Sequence, residues 1–271
     1  MDMSSMVWVH TWRIQEISHY ATQCIAQLWR LIHTTSEESN SKRIPEGCEM
    51  VKNVAKLQNL LFLCGILASL LYISTDIIAG VLWEGYSFID NAVSELSAIS
   101  APTRPIVVPI LIVYDMLMIA FGLGICRHSH KYPQRFMGGL LVVYAIVGLV
   151  ELPFPIHLPG TEVTFTDTMH SALTGVTVIL ILLAIGFGAI AYKRRFRLYS
   201  ISTLLVILGL GTFLGFIAGA QIAAEGVIAP PQWFGLIERI NIYGFMAWVV
   251  ILAILLLWTQ KRSGLVSDRD A

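Results

Sequence analysis

Charge is what this sequence has least of. Asp, Glu, Lys and Arg together make up 13% of its 271 residues, against about 25% in an ordinary soluble domain. Hydrophobic residues make up 56%, and the mean hydropathy is +0.70. That much apolar surface cannot be hidden inside a soluble particle of this size, so lipid must cover it. The 18 basic and 18 acidic residues cancel, which excludes the basic footprint of a nucleic-acid binder. Cysteine is scarce: Cys24, Cys48, Cys64 and Cys126, with no C-x-x-C pair. Zinc-ribbon and thioredoxin chemistry are thereby excluded, and no disulfide is expected. There is no P-loop, no Gly-x-Ser-x-Gly elbow and no dinucleotide fingerprint. The start lacks the order of a cleavable signal peptide. The first spanning helix is therefore expected to target the chain and stay in place.

What is present is a series of long apolar runs. A spanning helix needs about 20 predominantly apolar residues, and six stretches qualify: 58–83, 105–126, 135–153, 169–192, 198–222 and 237–259. Trp83, Trp233 and Trp258 fall at their ends, where the aromatic belt belongs. Lys and Arg set the orientation. Lys42, Arg43, Lys52 and Lys56 precede the first run; Arg127, Lys131 and Arg135 follow the second; Lys193, Arg194, Arg195 and Arg197 follow the fourth; Lys261, Arg262 and Arg269 follow the sixth. The alternate loops hold only Arg104 and Arg239. The expectation is an all-α, multi-pass bundle of the cell membrane with six spans over residues 55–262, both termini cytoplasmic, and a cytoplasmic tail at 263–271.

Residues 1–54 read as a separate cytoplasmic segment. Ile14, Ile17, Ala21, Cys24, Leu28 and Leu31 recur at helical spacing. This predicts an amphipathic helix, lying on the membrane or packed on the bundle. Ser36 to Glu49 reads as a polar linker. Beyond the first span, Ser87 and Asp90 fit a capping box, predicting a short helix at the outer interface that Pro102 ends.

The outer side is acidic, with Glu84, Asp90, Glu95, Glu151, Glu162, Asp167, Glu225 and Glu238. Asp167 and His170 are three apart, which puts them on one helix face; a carboxylate there can orient an imidazole or join it on a metal. Asp167 also reads as an ordinary helix cap. With His157 and Glu151 nearby, a zinc-like divalent metal held by His157, Asp167 and His170 is a secondary expectation, and no other cofactor is expected. Asp76 and Asp115 are carboxyls within spans. Asp115 comes ten residues after Pro105, about 15 Å deep, and should face the bundle interior, either as a proton or ligand site or bonded to Tyr114, Tyr144 or Tyr243. Ser94, Glu95, Arg104, Glu238 and Arg239 complete the outer polar set, and an Arg239–Glu95 pair would fasten the first loop to the last helix.

Tyr86-Ser87, then Val93-Ser94-Glu95-Leu96-Ser97-Ala98 and Ala101-Pro102-Thr103-Arg104, resemble the signature of the domain of unknown function 998 family. Pro153-Phe154-Pro155, Asp167-Thr168-Met169-His170 and Gly235-Leu236-Ile237-Glu238-Arg239-Ile240 resemble its later landmarks. Where that family often has an acidic residue after the Phe-Pro pair, this chain has Ile156-His157. The resemblance covers about 58–260 and implies a polytopic membrane fold without an assigned activity. Three readings follow. The first is a protein that binds a lipid, another amphiphile or a partner in a polar outer pocket lined by Ser94, Glu95, Arg104, Asp76, Asp115, Glu151, Glu238 and Arg239. The second is an intramembrane hydrolase or transferase using Asp167 and His170. The third is a small proton-coupled transporter using Asp115 and Asp76. Membrane lipids are the expected partners in each.

Overall fold

A computed structural model describes residues 44–129, 131–225 and 232–267. The predicted amphipathic helix within 1–43 and the tail beyond 267 lie outside those residues. The chain divides into two compact units, 1–52 and 53–271.

Six long helices make up the described fold, with no strand among the described residues. They are α1 (Ile44–Leu82), α2 (Arg104–His128), α3 (Tyr132–Glu151), α4 (Phe165–Ala191), α5 (Arg194–Glu225) and α6 (Phe234–Ser267). Residues 44–49 are helical where the sequence reads as linker. Pro45 does not oppose this, because a first-turn proline gives up an N–H that has no helical partner anyway. Among the described residues, five helices are long and apolar enough to cross a membrane: Asn53–Leu82, Arg104–His128, Tyr132–Glu151, Phe165–Ala191 and Phe234–Lys261. Their large apolar side chains are widely exposed, as at Val81, Ile179 and Ile190, which is where lipid chains replace a core.

Consecutive helices from α2 to α6 pack as neighbours. α1 joins α2 through Gln58 Nε2, which donates to the Gly124 carbonyl at 2.8 Å, and reaches α6 through Ser69 Oγ to the Met246 carbonyl at 3.3 Å. α2 and α3 approach backbone to backbone: a Cβ on Gly138 would sit 2.8 Å from the Gly122 carbonyl oxygen. Small residues at such a crossing let van der Waals packing do the work that the hydrophobic effect cannot do in lipid. Phe62, Phe121, Met137, Leu141, Phe245 and Trp248 fill the centre. The indole of Trp248 satisfies its N–H on Ser200 Oγ of α5 at 3.0 Å.

The loop after α1 differs from expectation in its details. Ser87 and Asp90 do form a capped turn: the Asp90 N–H donates to Ser87 Oγ at 3.2 Å, and Ser87 Oγ donates to Asp90 Oδ2 at 2.8 Å. No helix grows from it. The helical piece is a 3-10 turn, Val93–Ser97, begun by Glu95, whose Oε1 accepts the Ala92 N–H at 2.9 Å. Ile89 is 50% exposed, whereas Leu96 is fully packed. Pro105 stands in the first turn of α2, as anticipated.

Candidate functional site

Two polar assemblies gather the candidate residues, and they differ in one respect: whether their polar groups are satisfied.

The first is a knot at the junction of α1, the following loop and α6. Arg239 is its centre. Its Nε donates to Asp76 Oδ2 and its Nη2 to Asp76 Oδ1, both at 2.9 Å, a two-pronged pair that only a guanidinium fork makes. Nη2 also donates to the Tyr86 hydroxyl at 2.6 Å. Nη1 faces the carbonyls of Phe88 and Asn91 at 2.9 Å and of Gly235 at 3.2 Å. The guanidinium lies 5.5 Å from the Tyr86 ring centre and 5.0 Å from that of Phe88, within cation–π range. Tyr243 donates to Asp76 Oδ2 at 2.5 Å. Arginine has five N–H groups, and here every nitrogen is engaged within the protein.

Arg239 therefore does fasten the first loop to the last helix, but not through Glu95. Glu95 turns instead to its own loop, accepting from Ala92 and from Asn91 Nδ2 at 2.8 Å. Burial pushes its carboxyl above the usual range, and those two hydrogen bonds with the nearby Arg239 pull it back. Burial likewise raises the Tyr86 phenol. Glu238 accepts the Val93 N–H at 2.6 Å, Asp90 Oδ1 the Trp233 N–H at 3.3 Å, and the Ile89 carbonyl the Leu236 N–H at 2.9 Å. The start of α6 has thus handed two of its free amides to the loop. Arg104 donates from Nη1 to the Ser97 carbonyl, and Thr103 Oγ1 to that of Leu96 at 2.7 Å. Ser94 lies in the 3-10 turn, its carbonyl accepting from Ser97 Oγ at 3.0 Å.

Gly235 makes this closure sterically feasible. A Cβ there would lie 2.1 Å from the Asn91 carbonyl oxygen and 2.8 Å from Arg239 Nη1. Backbone cannot yield as a flexible side chain can, so Gly235→Ala is expected to destabilise the protein by about 1–3 kcal/mol through overpacking. Thermal unfolding of the full chain in detergent measures this.

The second assembly runs between α2, α3 and α4. At the end of it nearest the 152–164 loop two histidine–carboxylate pairs form, crossed relative to expectation. Asp167 pairs with His157, Oδ2 to Nδ1 at 3.0 Å, while His170 pairs with Glu151, Nδ1 to Oε1 at 3.3 Å. Asp167 is also held by the N–H groups of His157 (2.7 Å) and Thr164 (2.8 Å) and by Thr164 Oγ1 (2.6 Å). It is the inner carboxylate of the α4 capping box, its capacity spent on the fold. Among the described residues, no group of three or more His, Cys, Asp or Glu is placed to hold a metal ion.

His170 Nδ1 faces two acceptors, Glu151 Oε1 and the Phe154 carbonyl at 3.1 Å. Nδ1 must therefore carry a hydrogen, which in the neutral ring leaves Nε2 as the acceptor nitrogen. Glu151 Oε1 also accepts from Thr174 Oγ1 at 2.6 Å. Glu151 and His170 side chains are each 17% exposed. Three residues earlier on α3, Gly148 makes room for Asp115 of α2: a Cβ at 148 would meet Asp115 Oδ1 at 2.7 Å. Three residues of helix rise about 4.5 Å and stay on one face, so Glu151 follows Asp115 along the same seam.

Asp115 is 4% exposed, and its carboxyl has no hydrogen-bond partner among the described residues. The tyrosines expected to hold it are otherwise engaged. Tyr114 and Tyr144 share a hydrogen bond of 2.8 Å, and Tyr243 is on Asp76. Beyond them the core is apolar, with Met118, Phe121 and Leu141 all closed to solvent. His170, Glu151 and Asp115 thus form a column that starts part-exposed and ends buried. Gly148, Thr174 and Phe154 belong to it; of these only Phe154, within the Pro153-Phe154-Pro155 landmark, is marked in the sequence. Tyr86, Phe88, Asn91 and Gly235 belong to the knot; Tyr86 and Gly235 fall within the quoted family landmarks, whereas Phe88 and Asn91 carry no such mark.

Long apolar helices in sequence, joined by a loop wired into the last of them, make this the fold of a polytopic membrane protein. The chain belongs to DUF998, a family of proteins of unknown function, which it matches over residues 66–255. No curated protein and no solved structure matches it.

Proposed function

We propose that the protein is a small proton-coupled transporter in which Asp115 takes up a proton that enters from the outer face past His170 and Glu151. The observation that carries this reading is the isolation of Asp115. A charged side chain at mid-membrane costs about 2.5–3.5 kcal/mol or more, and such residues ordinarily pair or serve a function. Asp76 has its arginine; Asp115 has only Glu151, a group of its own sign, one helical turn away. A pair of carboxyls backed by an imidazole suits proton exchange, because each group's charge depends on whether its neighbour holds a proton.

Six spans with both termini cytoplasmic remain the topology we favour. α5 is 32 residues long and has no Asp, Glu, Lys or Arg from 198 to 224, and the basic loops alternate with it counted as a span. A lipid, amphiphile or partner held at the loop mouth has less support, since Arg239, Asp76, Glu95 and Glu238 already bond to one another's elements. An Asp167–His170 hydrolase has less as well, because each of the two is engaged by a different residue.

A pH jump on proteoliposomes fused to a solid-supported membrane tests the reading with the proton as the probe. The wild type is expected to give a transient charge-displacement current, Asp115→Asn to abolish it, and His170→Gln to slow it without reducing the charge moved. An Asp115→Asn current equal to the wild type's sinks the proposal.

A further inference from the structure

At the opposite end of the α2–α3 seam, by the turn that joins the two helices, lies a groove of about 780 Å³. Tyr132, Arg135, Phe136, Gly139, Leu140 and Val143 line it from α3, and Cys126 from α2. Among the described residues of this lining, Arg135 carries the one formal charge and no carboxylate accompanies it. Its side chain is exposed and makes no hydrogen bond or ion pair among the described residues. Its backbone is tied down, the carbonyl accepting the Cys126 thiol at 3.3 Å. Tyr132 stacks on Phe136 at 5.8 Å, and Phe136 packs on Phe187 of α4 at 4.6 Å, so the aromatic flank is fixed across two helices. A Cβ on Gly139 would meet no atom within 4 Å, so the trough is open along α3. Arg127 and Lys131 stand in the same turn.

A free guanidinium above an aliphatic trough, flanked by an aromatic pair at a helix end, matches the two halves of a phospholipid. A positive charge with no acid among the described lining residues, and with Arg127 and Lys131 in the adjoining turn, selects a head group of net negative charge. We propose that this groove holds one anionic phospholipid, its phosphate at Arg135 and an acyl chain along Gly139 and Val143. The charge pattern of the sequence assigns this end to the cytoplasmic side, where clustered Lys and Arg beside helix ends are the usual recognition element for anionic lipids. The inference is independent of the proton reading, as it shares no residue with the carboxyl column.

Native mass spectrometry of the full chain, released from a nonionic detergent carrying equal phosphatidylglycerol and phosphatidylcholine, reads the occupancy. Phosphatidylglycerol adducts are expected to predominate. Arg135→Gln should lower them about fivefold, the share of one basic side chain near an anionic surface. Val143→Trp, which fills the trough and leaves the charge in place, should lower them as well. Lys193→Gln with Arg195→Gln, exposed positions outside the groove, should leave them unchanged. The proposal is overturned if either groove variant retains the lipid like the wild type. It is overturned equally if the control pair loses as much, which would mean a diffuse basic surface, or if millimolar inorganic phosphate displaces the lipid, which would mean a site for a free anion.

Discussion

Arg239→Ala is expected to cost about 3–5 kcal/mol of stability, the cost of leaving one half of a buried ion pair behind. The side chains of Arg239 and Asp76 are 7% and 1% exposed, so little water reaches Asp76 once its partner is gone. The same change strips donors from the carbonyls of Phe88, Asn91 and Gly235 and from the Tyr86 hydroxyl. The loss should appear as a lower thermal midpoint in detergent and as new protease cleavage within 83–103, the loop that Arg239 ties down. Arg239→Lys should recover only part of it, because an ammonium cannot span both Asp76 oxygens and the loop carbonyls at once. Asp76→Asn combined with Arg239→Gln should recover more than either change alone, since it removes both charges together. A midpoint for Arg239→Ala within experimental error of the wild type would mean that the knot does not hold the loop.

Asp115→Asn is expected to do the reverse, keeping the fold and removing the function. No hydrogen bond among the described residues is lost with the carboxylate, and the amide has nearly the same shape against Gly148. Its thermal midpoint should equal or exceed that of the wild type, while the proton-dependent current disappears. A residue whose removal stabilises a protein and silences it is one kept for work rather than for folding. The contrast between Asp76 and Asp115, two carboxyls in spans of one bundle, thus separates structure from function by experiment. If Asp115→Asn unfolds the protein as Arg239→Ala should, Asp115 belongs to the scaffold.

The helices were legible because lipid imposes a length and an apolar composition that no other environment demands. α2 illustrates this: Pro105 marks its start and Arg127 its end, and both fell where the sequence placed them. The pairings were less legible. Arg239 and Asp76 are 163 positions apart, and which turn of α1 meets which turn of α6 depends on helix rotation that composition does not encode. Glu95 looked like the nearer partner because it shares the loop, but its 3-10 turn bends its carboxylate back to Ala92. His170 went to Glu151 for a related reason. The three-residue spacing does place it beside Asp167 on α4, yet the α4 capping box and His157 had already taken that carboxylate. Gly148 could not have been found at all, since one more glycine in an apolar run carries no sign of the carboxyl that packs against it.

The measurement that bears most directly on the proton reading is infrared difference spectroscopy of the full-length protein in lipid, recorded between two buffers of different pH. A carbonyl-stretch band from a protonated carboxylic acid in an apolar setting should appear on the acidic side. That band should be absent in Asp115→Asn, shift in frequency in Asp115→Glu, and change in midpoint when Glu151→Gln removes the neighbouring charge. A pH-dependent carboxyl band that survives intact in Asp115→Asn, or no such band in the wild type at any pH at which the protein stays folded, would contradict the assignment of Asp115 as the proton-accepting group.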